Sequence, residues 1–265
     1  MVPGDSPLAR ALGVLADLPE ATAGAARVAQ AVRSVRFSTG LRRGWEAARA
    51  EASIHWVVSD CRAMGLDVGA KELREQIARD GEPALARAAA AWRCHSDVTA
   101  DLPPLNTKDT APAPHASVRA MLAGLHRDAS SVDPVRRDRA AILSAEDTAR
   151  QELIVDIAEA PAPALIVLAT LLGQWLIDPL TVQEDALVRG SFLRWLGTVR
   201  GFEPTGTAVL DLVGVADRVD SYAAGTPAGM AEWLTVVADM YVEAMNTSLL
   251  ISQSILAGRT DPSLG

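Results

Sequence analysis

Apolar residues recur at three- and four-residue intervals along most of this chain, the spacing that lines them up on one face of an α-helix. Over residues 9–34 the stripe is Leu12, Leu15, Ala16 and Val28, interrupted at Pro19. Over 44–63 it is Trp45, Ala48, Ala52, His55 and Trp56, and Gly65 and Gly69 bracket the end. Shorter helices are predicted at Lys71–Ile77 and Pro83–His95, and the pattern returns at Ser117–Arg127 through Val118, Met121, Leu122 and Leu125. An Arg- and Asp-rich helix is expected after Pro134, followed by another over 146–159. Residues 97–116 break the rhythm: Pro103, Pro104, Pro112 and Pro114 cannot sustain a helix, so a surface excursion or small β-hairpin is expected there.

The second half carries the strongest patterns. Pro161 and Pro163 reset the chain, and Ala164–Ile177 is apolar on nearly every face, as a central core helix is. Asp178 and Pro179 end it, and a helix is expected from Asp185 to Thr198. After the turn at 200–206 comes an apolar stretch, 208–215. Thr226 and Pro227 then supply an N-cap and first residue for a long helix striped by Met230, Trp233, Leu234, Val237, Tyr241 and Met245, closed by Gly258.

Composition agrees with helices. The 265 residues include 48 Ala but only 3 Phe and 2 Tyr, which disfavours a β-sandwich or barrel. The fold class expected is all-α. Charge narrows the partners: the formal net charge is -8, and residues 151–265 hold 14 acids against 5 Arg, so a nucleic-acid partner is disfavoured. Against that background six arginines and one acid, Glu46, fall between Arg27 and Arg49, either an anion-binding stripe or a solvated helix face.

Cys61 and Cys94 fit neither a zinc-ligand spacing nor a disulfide framework and read as small core residues. The N-terminal stretch carries acids and lacks an unbroken apolar core, so no signal peptide is expected. The apolar run at 164–177 is too short for a bilayer, which needs about 20 residues. A cytoplasmic protein without a membrane partner is the expectation.

Familiar catalytic motifs are missing from the sequence. There is no P-loop, GxGxxG, GxSxG or HExxH, and His55, His95, His115 and His126 form no pair at metal-ligand spacing. Glu184 and Asp185 follow a helix break, where solvated acids favour the next helix dipole.

The informative stretch is 164–229: a buried helix, a loop and an immediate second helix. This resembles the active-site architecture of the Fic (Fido) family, whose loop reads HPFx[DE]GNGRxxR. The corresponding window here is DPLTVQEDALVR, residues 178–189. Downstream, LRWLGTVRGFEPTG (193–206) resembles the family's R-x-L-x-L-x-x-R-G-L-D-P-x-G continuation, and YAAGTPAGMAEWL (222–234) its later Y-x-x-G-x-x-x-x-W-L helix. AMLAGLHRD (120–128) is similar to members with an N-terminal helical extension. The resemblance covers roughly residues 44–258. With tails at 1–8 and 259–265, it implies an extension over 9–96 and a Fic-like core over 97–258; active members carry a hairpin that docks the target segment, and whether the 97–116 excursion is that hairpin stays open.

Carried onto this chain, the resemblance also implies loss of chemistry. Asp178 stands where the family has its histidine general base; a carboxylate of pKa about 3.9 suits that task poorly near neutrality. Val182 stands where an acid holds magnesium, and a hydrocarbon cannot bind a hard cation. Gln183, Glu184 and Asp185 replace the Gly-Asn-Gly anion nest, whose bare amides cradle phosphate. Ala186 replaces the first motif arginine; Pro179 and the second arginine, Arg189, remain, with Leu180 between them and the lost groups. The inhibitory helix of the family, [ST]xxxE[GN], has its nearest match at 60–65, with Asp60 for the hydroxyl residue, Met64 for the glutamate and Gly65 kept.

No catalytic residue, metal or cofactor is therefore expected, and the implied role is that of a pseudoenzyme acting through a protein partner or self-association. Local pairing of Arg189 with Glu184 or Asp185 and a turn role for Asp178 are the plain structural readings. Two other functions stay open: a divergent transferase using Asp178 and Arg189 on ATP with magnesium or another phosphorylated donor, and an unrelated all-helical binding module.

Overall fold

A computed structural model describes residues 6–105, 115–131, 145–178 and 182–259, with the side chains of residues 145 and 182–185 outside the description. The described residues are helical and contain no strand: α1 (Pro7–Ala16), α2 (Pro19–Arg36), α3 (Thr39–Ala63), α4 (Ala70–Asp80), α5 (Ala86–Asp101), α6 (Val118–Ser130), α7 (Ala145–Glu159), α8 (Ala164–Ile177), α9 (Val182–Val199), α10 (Leu212–Ala216), α11 (Asp220–Ala223) and α12 (Pro227–Leu256). Starts are set by caps. The side chains of Ser6, Ser38, Ser117 and Thr226 each accept a backbone N–H from the first turn, at 3.0–3.2 Å, and Pro7, Pro19 and Pro227 sit in first turns where a missing N–H is harmless.

The axis of the fold is α12, with α2 and α3 packed along it. α2 runs parallel to α12: Gly24 lies against Ala238, Arg27 pairs with Asp239 and Ser38 meets Ser252. The approach is close because two positions have no side chain. A Cβ on Gly24 would stand 2.9 Å from that of Ala238, and one on Gly40 2.2 Å from the Ser252 carbonyl oxygen. α3 bends at Gly44, the one non-helical residue within it. α8 crosses the same core with Leu165 through Gly173 buried, and Trp233 of α12 donates Nε1–H to the Ala169 carbonyl at 2.8 Å. Trp56, Trp195 and Trp233 are fully buried, each removing on the order of 200 Å² from water.

Several boundaries differ from the sequence reading. α1 begins at Pro7, so 7–8 are not a frayed tail, because Ser6 caps them. α4 extends to Asp80 and is stopped by Gly81 in the left-handed region. α5 continues through Asp101 rather than ending at His95: Val98 is core, and Asp101 is held by the Trp195 indole N–H at 2.6 Å and by the Ala116 amide. The expected break therefore starts five residues later than 97, and the hairpin expectation for 106–114 and the helix after Pro134 lie outside the described residues. α9 opens at Val182, ahead of Asp185. Cys61 and Cys94 are buried and unbonded, as expected.

Candidate functional site

The two ends of α9 carry the residues that matter. At its N-terminal end, Asp178 terminates α8, and its carboxylate accepts from Arg150 of α7 with N···O 3.0 Å. The same guanidinium also reaches Glu146 at 2.9 Å and Asp147 at 3.5 Å. Pro179 and Leu180 lie outside the described residues; Val182, Gln183, Glu184 and Asp185 form the first turn of α9, with no side-chain placement. Ala186 is buried in the core and Arg189, one turn on, is half-buried.

Arg189 acts electrostatically on Asp60 of α3, which is wholly buried. Thus the structure joins the 178–189 window to the 60–65 window. Asp60 Oδ2 lies 2.9 Å from His95 Nε2, and the imidazole stacks on Trp56 with centroids 5.2 Å apart. Burial pushes the Asp60 carboxyl well above the usual carboxylate range, opposed by Arg189; burial and Arg194 push His95 well below the usual imidazole range. Ser191 Oγ is 3.5 Å from the same His95 Nε2. Serine, histidine and aspartate thus converge, but on one ring nitrogen, whereas a nucleophile relay needs both. His95 is fully buried, and Gly190 lets α9 close over it: a Cβ there would stand 3.0 Å from both Asp60 Oδ1 and Trp56. The cluster is a sealed polar strut between α3, α5 and α9. Met64 is half-buried against the core, and Gly65, at φ 73°, reverses the chain after α3.

The C-terminal end of α9 holds a second buried network that sequence reading did not find. Arg194 donates to the Gly206 carbonyl at 3.0 Å, the Arg49 carbonyl at 3.2 Å and Ser53 Oγ at 2.9 Å. Arg49 donates to the carbonyls of Thr205 and Pro103, both at 2.7 Å, and its guanidinium lies 4.9 Å over the Trp45 ring. Burial lowers the guanidinium pKa of Arg49 to about 10 and of Arg194 to about 9, with Glu203 opposing both shifts, so both remain cationic near neutrality. Glu203 is buried and accepts from the Thr205 amide and hydroxyl; Thr205 and Thr207 extend the chain of hydroxyls to Ser248 on α12. Arg200 closes α7 by donating to the carbonyls of Ala158, Ala160 and Ala162. The signal for this network was present in the sequence as arginines within apolar helical stripes, the Arg49 position among them. Their carbonyl partners come from loops, which periodicity does not place.

A cleft of about 330 Å³ lies between α5 and α6, lined by Asp97, Asp101, Ala120, Met121, Gly124 and Arg127, among others. None of its described lining residues belongs to 178–189 or 60–65. Among the described residues no three His, Cys, Asp or Glu side chains gather as a metal site. α12 is long and apolar enough to cross a membrane, with half of that window buried inside the molecule. Compared with protein-family models, with curated proteins and with solved structures, this chain matches none.

Proposed function

We propose that this chain is a Fic-like helical scaffold that has lost nucleotidyl transfer and acts by binding protein. The observation that carries the reading is the internal use of both charged groups that border the eroded loop. Asp178, at the position of the general base, is ion-paired with Arg150, and Arg189, the motif cation that remains, is half-buried and acts electrostatically on the buried Asp60 carboxyl. A single half-buried guanidinium, with no second motif cation and no magnesium-binding acid beside it, gives a polyphosphate little to hold. Val182 and Ala186 stand where that family reading needs a magnesium-binding acid and a second phosphate-binding cation. A folded scaffold with no remaining donor site still offers surfaces, and protein binding is the function such a scaffold retains.

Isothermal titration of the full chain with ATP and magnesium tests this directly. No heat of binding is expected, and adding the chain to a lysate with ATP labelled at the α-phosphate should add no protein label beyond that of the lysate alone. Micromolar nucleotide binding, or label transfer abolished by Asp178→Ala, would replace this reading with a divergent transferase.

A further inference from the structure

Several exposed or half-exposed arginines carry a carboxylate partner: Arg27 with Asp239, Arg79 with Glu75, Arg93 with Glu82, Arg119 with Glu152, Arg150 with its three acids, Arg218 with Glu232. Arg10, Arg62 and Arg259 are exposed without one among the described residues, each at a separate place. Arg33, Arg36, Arg42 and Arg43 are exposed, adjacent at the α2–α3 corner, and have no ion-pair or hydrogen-bond partner for their side chains among the described residues. That is unexpected in a chain whose acids outnumber its bases by eight. Arg33 and Arg36 suit the negative end of α2, but Arg42 and Arg43 lie early in α3, where the helix dipole disfavours cations, so helix stability does not account for them. Between the two pairs Phe37 stands 69% exposed, and Leu256 at the nearby end of α12 is 48% exposed.

The opposite end of the α2–α12 pair has the complementary character. Asp17 at the start of α2, and Asp217 and Asp220 beside the start of α12, are exposed and likewise without ion-pair partners among the described residues. Val14, three residues before Asp17, is 68% exposed. The 30 residues of α12 separate the ends by about 45 Å, several Debye lengths at physiological salt, so the charges do not neutralise one another within one molecule.

We infer that the Arg33–Arg43 corner of one copy docks the Asp17–Asp217–Asp220 end of a second copy, head to tail. The inference rests on the protein-binding half of the reading above and names the partner; it does not depend on the loss of nucleotide transfer. Each end joins an exposed apolar side chain to an excess of one sign of charge, Arg218 being offset by Glu232 at the acidic end, and the two signs are opposite, the arrangement that steers and registers a protein contact. Because the contact uses different surfaces on the two copies, it does not close at a dimer unless the rotation happens to form a ring.

Sedimentation of the full chain across rising concentration tests it. At low salt the weight-average mass should climb with concentration, and it should fall back as salt shortens the screening length from about 10 Å at 0.1 M to about 3 Å at 1 M. Arg36→Glu/Arg43→Glu and Asp217→Arg/Asp220→Arg should each weaken association at least about tenfold, and an equimolar mixture of the two double variants should restore pairing, since the unaltered acidic end of the first meets the unaltered arginine corner of the second. All four positions are exposed, and unchanged circular dichroism will show that folding is intact. Wild-type chain that stays monomeric at low salt overturns the inference, as does association that survives both reversals. Arg36- and Arg43-dependent binding to phosphatidylserine vesicles by a chain that does not self-associate would overturn it too, assigning the corner to a lipid surface. A flat ATP titration beside a monomeric chain would sink this inference alone and leave the inactive-scaffold reading standing.

Discussion

The two ends of α9 fold under opposite rules. At the C-terminal end, Arg194, Glu203, Thr205 and Thr207 are buried and bonded to named partners, and three carbonyls of the α7–α8 turn are gathered by Arg200. At the N-terminal end the pairing is looser: Asp178 is held by one partly exposed arginine, Arg150. The C-terminal charges and hydroxyls are used up by loop carbonyls and by one another, whereas the Asp178–Arg150 pair meets solvent. The first arrangement is committed to holding the fold; the second is not.

The largest break in that contrast should come from Arg194→Ala. It leaves Glu203 short of a buried counter-charge, strands the Gly206 carbonyl, and takes one donor each from the Arg49 carbonyl and Ser53 Oγ, which keep their bond to each other. Breaking a buried, hydrogen-bonded charge cluster from one side costs about 3–5 kcal/mol. Urea unfolding should show a loss of that size, or no cooperative transition at all; a change within about 0.5 kcal/mol, as at an ordinary surface site, would mean the network is ornamental.

Gly206→Ala attacks the same end through the backbone. Gly206 has φ 68°, and a Cβ there would stand 2.5 Å from Leu102 Cδ1 and 3.1 Å from Arg49 Nε. The left-handed conformation alone costs a residue with a side chain about 1–3 kcal/mol, and displacing Arg49 adds to it. Gly201→Ala, at φ 69° with open space around it, separates the two contributions: it should cost less, by thermal or urea unfolding.

How much of this was legible beforehand follows from what each feature depends on. Helix positions are local, so the 3.6-residue stripes found α12 and α3 from residue 44 onward, an unbroken apolar run found α8, and Thr226–Pro227 marked the start of α12 to the residue. The end of α5 was misread because prolines at 103 and 104 suggested an early stop, while the residues that extend the helix to Asp101 are secured by Trp195 and Ala116, distant in sequence. The sealed Asp60–His95–Ser191 strut joins three helices and leaves no local trace. Asp60 was singled out only through its place in the 60–65 window, and its partner, 35 residues away, was not.

That strut supplies a finer test. Asp60→Asn keeps shape and a hydrogen-bonding group for His95 while removing a buried carboxylate. The two ionisations in the wild type oppose one another. His95, with its folded pKa depressed, takes up its proton on unfolding, so its contribution to stability is lost as pH falls below about 6.5. Asp60, with its folded pKa raised, holds a proton more tightly when folded, so stability is lost as pH rises above about 3.9. Asp60→Asn removes the second effect alone. Relative to wild type it should fare better at pH 7 than at pH 5, and its own stability should fall more steeply on acidification. Parallel pH profiles in urea would show that Asp60 is not the group that matters.

The smallest effect is expected at the N-terminal end itself, from Arg150→Ala. Asp178 and Arg150 are 40% and 28% exposed, so water and salt screen their attraction, and such pairs are worth about 0–1 kcal/mol. The unfolding midpoint should barely move, in contrast to Arg194→Ala at the other end of the same helix. The variant also releases Asp178 for chemistry. If lost ligands, rather than the ion pair, silence the loop, then titration with ATP and magnesium stays flat, because Val182 still offers magnesium no oxygen and Ala186 offers phosphate no cation. Nucleotide binding that appears on releasing Asp178 would invert the comparison: the loosely held end would be a gated site, and Arg150 its latch.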